Sequence, residues 1–180
     1  MADQFMELSF VVGLVGAGVL VVGAAWPDKK VIHPTKSIKN WLFALGGLCM
    51  LAYSILNYLD GGPVFFIFLQ ALINVASLLM MINISDKYDV PIISVLALGL
   101  IGWSMSLFEG YNTVFFVIGL AGLGMGYAMD TATVRRNISL LIGSVLVAVF
   151  SYLESSWIFF WLNVFFGLFS AYYAWKLRRT

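Results

Sequence analysis

The chain has 180 residues, 62% of them hydrophobic and 11% charged, with a formal net charge of +1 and a mean hydropathy of +0.96. An ordinary soluble domain is about half apolar and about a quarter charged, so this composition excludes one and marks an all-α integral membrane protein. A balanced charge also argues against a nucleic-acid partner, which takes a clustered basic face.

A bilayer core takes about 20 apolar residues of helix, and hydropathy with turn signals divides the sequence into seven spans. The opening M-A-D-Q-F-M-E carries acids where a secretory signal carries positive charge, so the first span is expected to stay in the mature protein. That span, Ser9 to Trp26, holds the run G-L-V-G-A-G from Gly13 to Gly18. A loop from Pro27 to Lys39 follows, with the only histidine, His33. A lone loop histidine without further ligands does not make a metal site, so no metal and no cofactor are expected.

The second span, Asn40 to Leu59, contains the single cysteine, Cys49, read as a small buried hydrophobe. Asp60 marks a turn into the third span, Pro63 to Asn83. There Gln70, Asn74 and Ser77 recur at spacings of four and three, which puts them on one helix face. The fourth span is Val90 to Phe108. The fifth, Thr113 to Met129, repeats the glycine run as G-L-A-G-L-G with Gly119, Gly122 and Gly124. The sixth is Asn137 to Leu153. After Glu154 comes the seventh, Ser156 to Lys176, in which Asn163, Gly167 and Ser170 form a second polar stripe.

Charge distribution tests this division, because cytoplasmic loops collect Lys and Arg. The basic residues follow the odd-numbered spans: Lys29, Lys30, Lys36, Lys39, Lys87, Arg135, Arg136, Lys176, Arg178 and Arg179. Asp3, Glu7, Asp60, Glu109 and Glu154 lie on the other side. The N-terminus is therefore expected outside and the C-terminus in the cytoplasm of a plasma (inner) membrane.

The order of signals recurs. The first glycine run leads to Asp28, Asn40-Trp41, Tyr58-Leu59-Asp60, Val64-Phe65-Phe66 and Leu69-Gln70. The second leads to Asp130, Asn137-Ile138, Tyr152-Leu153-Glu154, Ile158-Phe159-Phe160 and Leu162-Asn163. The expected organisation is a single membrane domain, 1–180, of two parallel three-helix repeats, 9–83 and 113–176, joined by a linker helix at 90–108. A weaker echo, Glu109-Gly110 before Val114-Phe115-Phe116, would give three hairpins and one extra helix instead.

Asn40 to Leu48, N-W-L-F-A-L-G-G-L, and Leu162 to Trp175, L-N-V-F-F-G-L-F-S-A-Y-Y-A-W, are similar to helices of the PnuC vitamin transporters. The whole arrangement resembles the three-one-three architecture that these share with the SWEET sugar facilitators. The resemblance implies a transporter with its solute held between the units. The chain lacks the Pro-Gln pair of SWEET-like repeats, so the substrate does not carry over.

Polar side chains in hydrocarbon are costly and tend to face a bundle interior or a pathway. Gln70, Asn74, Ser77, Asn163 and Ser170 are therefore candidate solute contacts, with Trp161 and Tyr53 as the aromatics expected to lie deepest. The same amides could instead only join helices by hydrogen bonds. Asn40 and Asn137 are expected to cap their helices. Gly13, Gly16, Gly18, Gly119, Gly122 and Gly124 are expected to serve helix packing or a hinge. An enzyme is not expected, since one histidine and one cysteine supply no nucleophile with a base. A retinal protein is excluded because Lys176 lies at the end of the seventh span. The favoured function is a facilitator-type carrier for a small, polar, uncharged metabolite such as a vitamin, nucleoside or sugar. The alternatives are a solute channel, or a non-transporting subunit or receptor docking a cytoplasmic partner. The bilayer and a small solute are the expected partners, and a homo-oligomer is left open.

Overall fold

A computed structural model describes residues 2–26, 34–82, 86–129 and 133–179. Asp28, Lys29, Lys30, His33, Asn83 and Asp130, all used in the sequence reading, lie outside these segments. The described residues form seven α-helices: α1 (Ala2–Ala25), α2 (Ile38–Leu59), α3 (Phe65–Ile82), α4 (Asp86–Ser106), α5 (Tyr111–Ala128), α6 (Val134–Leu153) and α7 (Trp157–Arg179). A short 3₁₀ turn, Pro34–Lys36, leads into α2. Each helix contains a stretch of 18 to 23 residues long and apolar enough to cross a membrane. At about 1.5 Å per residue, even the shortest covers about 27 Å, close to the hydrocarbon thickness of about 30 Å.

Helix ends differ from the expected spans for local reasons. α1 begins at Ala2, before the apolar run. α4 begins at Asp86 and runs through Pro91. Pro91, the sixth residue of the helix, cannot donate to the carbonyl of Lys87, and its ring crowds that carbonyl. Asn40 and Asn137 are not the caps. Ser37 and Thr133 cap α2 and α6, their side-chain oxygens accepting from Asn40 N and Arg136 N. The two asparagines lie inside the first turns, and their amides donate to Pro34 O at 3.1 Å and Thr133 O at 2.9 Å. Each therefore ties the helix start to the chain that leads into it.

The helices divide into two compact units, Met1–Asn83 with α1 to α3 and Ile84–Thr180 with α4 to α7. In the first, α1 packs on α2 and α2 on α3. The α1–α2 contact is made at glycine. A Cβ on Gly16 would stand 2.8 Å from Cys49 Cβ and 3.0 Å from Met50 N, and one on Gly46 would stand 2.8 Å from Leu20 Cγ. Only bare backbones let these helices approach so closely.

In the second unit α4 packs on α5, α5 on α6 and α6 on α7. Its α5–α6 contact is built alike: a Cβ on Gly119 would stand 2.8 Å from Val147 Cγ2 and 3.1 Å from Val147 N, and one on Gly143 would stand 2.7 Å from Leu123 N. Met50 and Val147 are fully buried at equivalent places. Gly18 departs from the expectation that it serves helix packing, since it is exposed and a Cβ there would meet nothing within 4 Å. Two residues along a helix from Gly16 is about 200° around the axis, so Gly18 faces away from α2.

The α2–α3 and α6–α7 turns share one hydrogen-bond pattern. Gly62 N donates to Asn57 O and Gly61 N to Tyr58 O; Ser156 N donates to Ser151 O and Ser155 N to Tyr152 O. This is the Schellman ending, which requires a left-handed residue just past the cap. Gly61 fills that place at φ +92°, whereas Ser155 fills the other at φ +54°. A left-handed conformation costs an L-residue about 1–2 kcal/mol. Six positions separate Ser54 from Asp60 but three separate Ser151 from Glu154, so α2 runs about one turn longer before its ending.

Two stability predictions follow from these contacts. Ser155→Gly should stabilise the protein by about 1 kcal/mol, read as a raised denaturation midpoint in mixed micelles; an unchanged or lowered midpoint would contradict the strain. Gly16→Val and Gly119→Val should each cost about 1–3 kcal/mol by overpacking, while Gly18→Ala should be neutral or slightly stabilising. Equal losses at all three positions would count against the close-approach account.

Candidate functional site: the polar stripes of α3 and α7

Of the seven helices α3 is the most enclosed, with 61% of its span buried against 22–39% for the others. Up to Leu78 its less buried positions, Ile67, Ala71, Val75 and Leu78, recur at spacings of four, four and three, so only one narrow apolar stripe of α3 faces outward there. Gln70, Asn74 and Ser77 are all buried in it. Placing amides there costs desolvation, which must be offset by hydrogen bonds.

Asn74 makes those bonds. Its Nδ2 donates to Gln70 O at 2.7 Å on its own helix and to Gly47 O at 3.0 Å on α2. The second bond ties α3 to α2 and depends on glycine, because a Cβ on residue 47 would stand 2.9 Å from Asn74 Oδ1. Ser77 Oγ donates to Ile73 O at 2.8 Å. Gln70 differs: its side chain is 0% exposed, and neither Oε1 nor Nε2 has a hydrogen-bond partner among the described residues. A buried amide left without partners costs about 1–3 kcal/mol in proteins.

On α7, Asn163, Gly167 and Ser170 are buried on one face. Asn163 Nδ2 donates to Phe159 O at 2.9 Å, one turn back. Across from this face, Ser144 of α6 is buried with its hydroxyl unpartnered among the described residues. Ser144 was not singled out in the sequence. The signal was there, since Ser144 stands seven residues after Asn137 as Gly47 stands seven after Asn40.

The two aromatics separate. Tyr53 is buried on the inner face of α2 with Met50 and Ser54. Trp161 is 54% exposed, its ring set against Phe160 at 5.1 Å and Phe165 at 6.4 Å between centroids. It stands on the outer face of α7, two positions from Asn163 and so far around the helix from it. Trp161 therefore faces outward, in an aromatic ladder that runs through Phe160 to Trp157 and Tyr152.

The groups that line the stripes are amides and hydroxyls. Among the described residues no group of three His, Cys, Asp or Glu side chains could hold a metal ion. Such a surface can exchange neutral hydrogen bonds, and it offers neither charge nor a nucleophile with a base. Comparison with protein families, characterised proteins and solved structures found no match for the chain.

The contrast between the amides is measurable. Asn74→Leu should destabilise the protein by about 1–3 kcal/mol, because it removes the hydrogen bond that ties α3 to α2 at Gly47 O and puts a branched apolar side chain against Gly47. Gln70→Met, which removes an unpaired amide at similar volume, should be neutral or stabilising by about 1 kcal/mol. Chemical denaturation in micelles distinguishes the two, and a loss at Gln70→Met as large as that at Asn74→Leu would mean that Gln70 has a structural partner.

Proposed function

We propose that the protein is a facilitator-type membrane carrier for a small, polar, uncharged metabolite, with Gln70 as the principal solute contact. The observation that carries this reading is the Gln70 amide, buried on α3 with both its donor and its acceptor unpaired among the described residues. A chain that spans hydrocarbon gains nothing structurally from such a group. A solute with hydroxyl, amide or carbonyl groups would give it partners. Asn163 and Ser170 give α7 a polar face of its own, while Asn74 holds α3 against α2.

The finer organisation belongs to the same proposal. α1 to α3 and α5 to α7 are two related three-helix units joined by α4. The glycine contacts of Gly16 and Gly119 and the two Schellman turns support this relation. The gathering of Lys and Arg at the far ends of the odd-numbered spans supports an N-terminus outside and a C-terminus in the cytoplasm. Among the described residues no acid is buried in mid-helix for proton coupling, so movement down a gradient is the simplest mode.

Vesicle uptake tests the proposal. Purified protein screened by thermal shift against nucleosides, sugars and vitamins identifies a solute, and proteoliposomes then report its flux. Uptake is expected to saturate, and Gln70→Leu is expected to lower solute affinity about tenfold or more, the loss of one or two hydrogen bonds, without reducing folded protein. Unaltered uptake by Gln70→Leu would defeat the site; flux that does not saturate would replace the carrier with a channel; no shift and no uptake would favour a non-transporting subunit.

A further inference from the structure

Ser144 differs from four other buried serines. Ser54, Ser77, Ser104 and Ser151 each donate to the carbonyl one turn back, at 2.7 to 2.8 Å. Ser144 is 1% exposed, and its Oγ has no hydrogen-bond partner among the described residues. A serine in a helix has an acceptor one turn back to donate to, and using it is the ordinary solution in apolar surroundings.

What faces Ser144 is also unusual. Gly16, Gly46, Gly119, Gly126 and Gly143 are glycines because a Cβ would strike a neighbour at 2.5 to 2.8 Å. Gly167 is under no such pressure: the nearest atoms to a Cβ there are Leu141 Cδ1 at 3.6 Å and Ser144 Cβ at 3.8 Å, ordinary contact distances. Close helix approach therefore does not explain this glycine. Its effect is to leave room for about one methyl group on α7 next to Ser144 Cβ, halfway along both helices.

The first unit treats the corresponding place in the opposite way. There α2 offers the bare residue, Gly47, and α3 supplies the side chain, Asn74, whose amide fills the gap and bonds Gly47 O. In the second unit α6 supplies the hydroxyl and α7 the bare residue. One crevice is closed by its own amide, and the other keeps a polar group beside room.

We propose that Ser144 and Gly167 form a second solute subsite, in which the Ser144 hydroxyl exchanges a hydrogen bond with a hydroxyl or carbonyl oxygen of an uncharged solute and Gly167 provides the space. The subsite rests on the carrier reading and adds a contact on α6 to it. No charged side chain belongs to the pair, so selectivity there is for neutral oxygen-bearing groups.

Thiol labelling tests it independently of transport. In a Cys49→Ala background, Ser144→Cys should react with 2-aminoethyl methanethiosulfonate at least tenfold faster than Ser151→Cys, whose parent hydroxyl is buried and bonded to Val147 O. Adding Gly167→Asn, which imitates the side chain that fills the first unit, should slow Ser144→Cys at least tenfold. Should that variant fold poorly, Gly167→Ala, for which there is room, should slow it in the same direction. Uridine or glucose, used as uncharged probes, should protect. Ser144→Cys reacting no faster than Ser151→Cys, indifference to both Gly167 variants, or protection by neither probe would overturn the subsite. A protein that labels and is protected but takes up no solute sinks the carrier reading alone; uptake with Ser144→Cys inert sinks the subsite alone.

Discussion

Hydrocarbon offers no hydrogen bonds, and that single constraint explains where the polar residues of this chain stand. Every backbone group in a spanning segment must be paired within the protein, which is why the described elements between the turns are helices. Side-chain amides and hydroxyls meet the same demand by borrowing carbonyls that the helix already exposes. Asn163, Ser54, Ser77, Ser104 and Ser151 each turn back to the carbonyl one turn earlier. Against that background an unpaired Gln70 or Ser144 is informative, because the cheap solution was within reach of a serine and was not taken.

Close approach of backbones is the second organising device. α1 meets α2, and α5 meets α6, where a side chain larger than hydrogen would collide with backbone or Cβ atoms. Apolar side chains gain little from leaving lipid for a neighbouring helix, so such contacts rely on van der Waals fit. The outer surfaces accordingly keep large apolar groups such as Leu14, Val95 and Leu168 exposed. Fit, unlike hydrophobic burial, is lost when one methyl group is added, so both contacts are expected to be intolerant of any larger residue.

Much of this was legible beforehand. Seven spans follow from hydropathy because lipid selects strongly for apolar length, and the spacing of Gln70, Asn74 and Ser77 gave their common face. What the sequence hid is local and rotational. Ser37 and Thr133 cap α2 and α6 from just outside the apolar runs, so Asn40 and Asn137 looked like the first helical signals. Gly18 and Trp161 each stand two residues, about 200° around the helix, from a buried neighbour, Gly16 and Asn163. The state of Ser144 depends on a rotamer, which no spacing rule reports.

The exchange of side chains between Gly47–Asn74 and Ser144–Gly167 bears on how two similar units could divide their work. If both crevices were closed by an amide, each would be a structural joint and the chain would keep no polar group beside room. If both were open, neither α2–α3 nor α6–α7 would have a hydrogen bond to hold its helices together at mid-span. Asn74 gives the first unit its joint. The second unit holds its helices by other means: α5 closes on α6 through Gly119 and Gly143, Ser139 Oγ donates to Gly122 O at 2.7 Å, and Asn112 Nδ2 donates to Glu154 Oε1 at 3.1 Å. Those bonds join α5 to α6 and to its end, leaving the α6–α7 crevice at Ser144 free of a structural duty. A single hydroxyl beside a glycine is then the smallest change from a joint to a place where another molecule's oxygen could be received.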